Sequence, residues 1–380
     1  MAGLLALLVA GGLSACADAS YYLQSAQGHI AMMRAAKPVE QWLADEQTTA
    51  SLKARLALAQ RIRRFAVTDL ALPDNASYTQ YADLHRRAVV WNVVAAPEFS
   101  LTLKTWCFPV AGCVGYRGYF DEADARALAA ELKAQGMEVS VYGVPAYSTL
   151  GWMNWVGGDP LLNTFINYPE GELARLIFHE LAHQVAYAKG DTPFNESFAT
   201  AVERLGGARW LARQGSPAAR AEYLEYNRRR TEFRNLSLAT RLVLAGIYRE
   251  KEAESHDRQA QTAMKNEAIK HFRDQYAALK SGWIAASGLA PDLAARQFSA
   301  YDLWVANANN AALGAQAAYD ELVPDFEALF EHMDPSPGKQ WQGFYDEVKR
   351  LAGLPKPERD QALTGKVQTR PQNQSEKNGG

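Results

Sequence analysis

Residues 179 to 203 read HELAHQVAYAKGDTPFNESFATAVE and hold two histidines and three glutamates. His179 and His183 are four apart, so on an α-helix their imidazoles leave one face about a turn apart and can converge on one Zn2+ ion. Glu180 lies beside them. Its carboxylate can take a proton from an activated water without binding the ion, the division of labour that an H-E-x-x-H spacing allows. A third ligand must come from elsewhere, and Glu196 and Glu203 both follow at short range. Seven residues of helix rise about 10 Å, so only one of the two can sit on the ion. The other can orient a ligand histidine through its second ring nitrogen.

Two helices must position these residues. The first is expected over Glu172 to Lys189, preceded by Pro169 and Gly171 and ended by Gly190. Its apolar stripe is Leu173, Leu176, Ile177, Leu181 and Val185. In the second, Thr192 is expected as N-cap with Pro193 at the first helical position, and Phe194, Phe198, Ala201, Val202 and Leu205 form the stripe. Glu196, Thr200 and Glu203 share its other flank. A connection of about five residues folds the second helix back beside the first.

The chain of 380 residues, 48% apolar, can bury a large core. Its formal charge of -2 gives no field that would favour nucleic acid. An apolar run, LLALLVAGGLSAC (4 to 16), has signal-peptide length and is too short to span a bilayer. Cys107 and Cys113, in WCFPVAGCVGYRGYF, can close a disulfide in an oxidising compartment or remain free core thiols.

From Ser20 to about Phe65 the pattern is helical. RRAVVWNVV (86 to 94) and MEVSVYGV (137 to 144) read as strands on either side of a helix, DEADARALAAELKAQG. Residues 144 to 165 read as an extended strand and loop before the motif helix. Beyond Glu172 helices are expected at about 219 to 251, 253 to 281, 291 to 314 and 317 to 333, and the polar end from 356 is expected to be disordered. The expected fold class is α+β and mostly helical, with a small β-sheet and a helical C-terminal half. The expected organisation is a leader over 1–15, one domain over 16–355 and a disordered tail over 356–380.

HELAHQ followed by NESFATAVE resembles the HELAHQ and NEGFA segments of aminopeptidase N-like zinc peptidases of the gluzincin class. The resemblance implies a gluzincin-like core in which Glu196 is the third ligand and Glu203 supports a histidine, with Thr200 nearby. Twelve residues separate His183 from Glu196, fewer than in those peptidases, and nineteen separate His183 from Glu203, a thermolysin-like spacing. The Asn before Glu196 and the Phe and Ala after it favour Glu196. Leu13, Ser14, Ala15 and Cys16 resemble a bacterial lipobox, which implies lipidation of Cys16. YYLQSAQGHIAMMRAAKPV, GYRGYF, YSTLGW with DPLLNT, DTPFNESFATAVERLG and ANANNAALGAQAAYDELVPDF together resemble the predicted-aminopeptidase family of bacterial lipoproteins.

These readings lead to a zinc metallopeptidase with one ion held by His179, His183 and Glu196, and with Glu180 as general base. Tyr319 is the first choice for an oxyanion donor; Tyr301, like Tyr319 near the Asn309 and Asn310 pair, is an alternative, as are Tyr248 and His256. Tyr147, Ser148, Thr149 and Gly151 are candidates to pair with substrate backbone. The expected partners are a peptide and, through the lipid anchor, a membrane. The expected location is the bacterial envelope, at the outer membrane and facing the periplasm. An endopeptidase with the same site, or a zinc-braced lipoprotein without activity, are the competing readings.

Overall fold

The computed structural model describes residues 20–108, 112–148, 157–253, 258–317, 322–336 and 338–367. Its first part runs from helix α1 (20–35) through β1 (Lys37–Pro38) and α2 (Val39–Ala44) to α3 (Ala50–Leu70). Thr49 caps α3 by accepting a hydrogen bond from the Leu52 N–H at 3.3 Å. Leu56, Ala59, Ile62, Phe65, Ala66 and Leu70 recur at three and four along it and are buried.

The strands follow as β2 (Gln80–Ala82), β3 (Val90–Pro97), β4 (Trp106–Phe108), β5 (Gly112–Val114), β6 (Arg117–Tyr119), β7 (Met137–Val144) and β8 (Leu161–Leu162), with α4 (Glu122–Ala134) before β7. The main sheet has the order β6-β3-β7 and is antiparallel, with β3 and β7 in register from Val90 opposite Val144 to Pro97 opposite Met137. Side chains alternate across a strand. Val93 and Ala95 therefore meet Ala125, Ala129 and Leu132 of α4 on one face, while Val94 and Ala96 meet Ala311 on the other. Covering on both faces explains why this strand reads as an apolar run interrupted only by Asn92. A smaller sheet, β1-β2-β8, and the β4–β5 hairpin complete the β structure among the described residues. Cys107 and Cys113 face each other across that hairpin and form a disulfide.

The rest is helical: α5 (Glu170–Ala182), α6 (Thr192–Arg213), α7 (Pro217–Ala253), α8 (Arg258–Ser287), α9 (Pro291–Gln297), α10 (Ser299–Ala306), α11 (Asn310–Ala317), α12 (Val323–Glu331), α13 (Lys339–Ala352) and α14 (Lys356–Val367). Phe178 of α5, Phe194 and Phe198 of α6, Phe326 of α12 and Phe344 of α13 are fully buried in the largest core. A second core joins α7 to α10 around Phe233, Phe272, Trp283 and Phe298. No described helix is long and apolar enough to cross a membrane.

Four expectations change here. The helix expected over 291 to 314 is three short ones, because Asn307 ends α10 and the Asn309 side chain accepts from the Ala312 N–H at 3.0 Å to start α11. The motif helix stops at Ala182 rather than Lys189, and Asp191 rather than Thr192 caps the next. The tail expected to be disordered from 356 begins with α14, whose Arg359 is buried against Asp191. Residues 368–380 lie outside the described residues, as do Cys16 and the stretch 1–15 expected to be a leader.

Candidate metal centre

Helices α5 and α6 lie side by side, and small residues set how close they come. A Cβ on Gly207 would meet Arg175 Cγ at 2.8 Å, and one on Gly206 would meet Leu70 Cδ1 at 2.7 Å and Phe178 Cδ2 at 3.0 Å. Behind them Leu173, Ile177, Leu181, Phe194, Phe198 and Val202 are fully buried, which leaves the opposite flanks of the two helices facing each other.

The connection between them is tightly held. Asn195 donates to the Ala188 carbonyl at 2.8 Å and accepts from the Ala188 N–H at 2.7 Å, so one side chain satisfies both backbone groups of the turn. Asp191 accepts from the Phe194 N–H at 3.4 Å and from Arg359 Nη2 at 2.7 Å. Gln184 donates to Ser77 Oγ at 3.1 Å and accepts from Asn75 Nδ2 at 2.7 Å. These anchors draw the chain off the helix axis just past His183, which is the physical reason the helix ends there.

On the facing flanks, His179 Nε2 lies 3.2 Å from His183 Nε2 and 3.4 Å from Glu196 Oε2, and His183 Nε2 lies 3.7 Å from the same oxygen. Zinc bonds of about 2.0–2.1 Å at tetrahedral angles put ligand atoms about 3.3 Å apart, so these three atoms fit one face of a zinc tetrahedron. Among the described residues this is the group of three that can hold a metal ion. Glu203 does not belong to the triangle. Its Oε2 meets His179 Nδ1 at 3.1 Å and its Oε1 pairs with Arg175. A carboxylate there holds His179 in the tautomer with Nε2 free to bind.

Burial raises the Glu180 carboxyl above its ordinary value, against the pull of His179 and His183. Burial also works to raise Glu203, but Arg175 and His179 outweigh it and hold that carboxyl at about 2.

Glu180 lines two cavities. The first, about 310 Å³, reaches His183 and Glu196 and carries Tyr116, Tyr147, Tyr187 and Phe120. Ser148 lines it as well, but residues 145–148 form no strand. The second, about 380 Å³, is bounded by Thr200, Glu203, Glu172 and four arginines. Tyr116 was not among the sequence candidates. Burial, with Glu196 beside it, pushes its phenol well up, so it stays protonated and can donate. The only sequence signal for it was its place in GYRGYF.

Two other candidates are elsewhere. Tyr248 donates to Asn310 Oδ1 at 2.7 Å, which ties α7 to α11, and Asn310 in turn donates to the Pro97 and Glu98 carbonyls, which fastens α11 to the end of β3. Tyr301 packs on Phe233 and Trp283 in the second core. Tyr319, His256, Thr149 and Gly151 lie outside the described residues.

The model of a family described as "Putative aminopeptidase" matches residues 20–363, nearly all of the described chain. The chain belongs to that family. The match takes in both metal-site helices and α14 up to residue 363. Neither a curated protein nor a solved structure matches the chain.

Proposed function

We propose that the protein is a zinc-dependent aminopeptidase, gluzincin-like in its site, with His179, His183 and Glu196 as ligands and Glu180 as general base. The convergence of those three ligand atoms, with Glu203 behind His179, is the observation that carries the reading. Membership of the aminopeptidase family supports it. A zinc ion held there supplies a Lewis acid for the scissile carbonyl and lowers the pKa of water to about 7.

The chain's own residues do the rest. Glu180 accepts a proton from the attacking water and returns it to the departing amine. Glu203 keeps His179 in its ligating tautomer. Tyr116, protonated and facing the same cavity, donates a hydrogen bond to the oxyanion as the carbonyl becomes tetrahedral. The aromatic lining of that cavity suits an apolar N-terminal side chain.

Other features support a proposed location. The run 4–16 ending in Cys16 supports export and lipid anchoring in the bacterial envelope, at the outer membrane and facing the periplasm. The Cys107–Cys113 disulfide supports an oxidising compartment of that kind.

An endopeptidase is the second reading. Among the described residues the tyrosine-lined cavity has no acidic side chain besides Glu180 and Glu196 to receive a substrate ammonium. One peptide library, offered with free and with blocked N-termini, separates the two: a preference for free amines is expected. Glu180→Gln should retain stoichiometric zinc and lose hydrolysis by at least about a hundredfold. Turnover preserved in that variant would remove Glu180 as the base.

A further inference from the structure

The second cavity differs chemically from the first. Arg175 from α5, Arg204 from α6, and Arg230 and Arg234 from α7 line a space that reaches His179 and Glu180. Residues four apart share a helix face, which is how α7 presents its two arginines together. Acids offset part of this charge. Glu203 pairs with Arg175, Glu172 pairs with Arg230 and lies 3.9 Å from Arg175, and Arg204 lies 3.4 Å from Glu327.

These pairings leave donors over. Nη1 of Arg230, and Nε and Nη1 of Arg175, are shut from solvent and have no hydrogen-bond acceptor among the described residues. The Arg175 side chain is only 6% exposed. A buried donor without an acceptor is costly and uncommon in native proteins, and a ligand oxygen would relieve it. Guanidinium groups present a planar fork that matches a carboxylate. Glu172 Oε2 and both oxygens of Glu203 are already engaged, and the unpartnered Glu172 Oε1 lies 3.9 Å from Arg175 Nη1, so a substrate ammonium entering here would face four guanidinium groups and is disfavoured against an anion.

Because the same space touches Glu180, its occupant lies beside the scissile bond. An aminopeptidase substrate offers its ammonium on one side of that bond, and its terminal carboxylate lies beyond it.

We propose that this cavity binds a substrate carboxylate on the leaving-group side of the scissile bond, making the enzyme one for short or acidic peptides. The carboxylate can be the C-terminus of a dipeptide or tripeptide, or an Asp or Glu side chain. This rests on the peptidase reading above.

The test compares Ala-Ala, Ala-Ala-amide and Ala-Glu-amide on the zinc-loaded full chain. Ala-Ala, Ala-Glu-amide or both should exceed Ala-Ala-amide in kcat/KM by about tenfold or more. Whichever is favoured identifies the source of the carboxylate. Arg230→Gln and Arg234→Gln should each bring that ratio towards one, chiefly through KM, and Arg230→Lys should restore part of it. Equal kcat/KM on all three substrates would overturn the inference.

If no peptide is cleaved, the peptidase reading fails and the cavity is judged by binding alone. N-acetylalanine, titrated into the metal-free protein, should then bind where its amide does not, and Arg234→Gln should abolish that binding. Acid and amide binding alike, or an acid that binds only with zinc present, would overturn the inference.

Discussion

Glu203 shows how geometry, rather than spacing, favours one ligand assignment over the other. Counted along the chain, either glutamate could serve, but Glu196 Oε2 is the oxygen near both imidazoles, while Glu203 reaches the far nitrogen of His179. Glu203→Ala should therefore weaken zinc affinity by about 10–100-fold without emptying a saturated site, measured by competition with a chelator. A variant that cannot bind zinc at all would reverse the roles of the two acids. Tyr116→Phe should retain zinc and lower kcat by about 10²–10³ with little change in KM. An unaltered kcat would exclude the phenol from the chemistry. The histidine pair and Glu180 were readable from the sequence because helical geometry fixes their relation locally. Tyr116 was not, since it enters from the segment between β5 and β6 and only the folded sheet brings it to the site. Asn195 was legible as part of a motif, but its grip on both backbone groups of Ala188 was not.

At the scale of elements, β3, β7, α4 and the two metal-site helices followed from periodicity, because each buries a face whose pattern is local. α14 did not. Its composition is polar, and what orders it is Leu363 buried in the largest core together with Arg359 meeting Asp191, 168 residues earlier in the chain, with Lys356 3.1 Å from the same carboxylate. No window of sequence contains that pair. Asp191 also caps α6, so α14 braces the turn that sets Glu196 against the histidines. Arg359→Ala leaves the Asp191 carboxylate, only 2% exposed, with less compensation. It should cost about 3–5 kcal/mol in thermal or urea unfolding. A change within about 0.5 kcal/mol would mean that the segment contributes no more than a loose surface tail.

Across the molecule, a sheet covered on both faces and a large aromatic core hold two helices so that polar flanks, rather than apolar ones, meet between two cavities. One cavity is aromatic with a phenol donor, the other carries guanidinium groups, and His179 and Glu180 border both. On the proposed peptidase reading, that division receives the apolar end of a substrate on one side of the reacting bond and its anionic end on the other. It depends on an ion at the junction. The most direct check is anomalous diffraction above the zinc edge from crystals of the zinc-loaded protein. One peak is expected, at full occupancy and about 2.0–2.2 Å from Nε2 of His179, Nε2 of His183 and a carboxylate oxygen of Glu196. No peak there, or a peak bound by Glu203 in place of Glu196, would contradict the account.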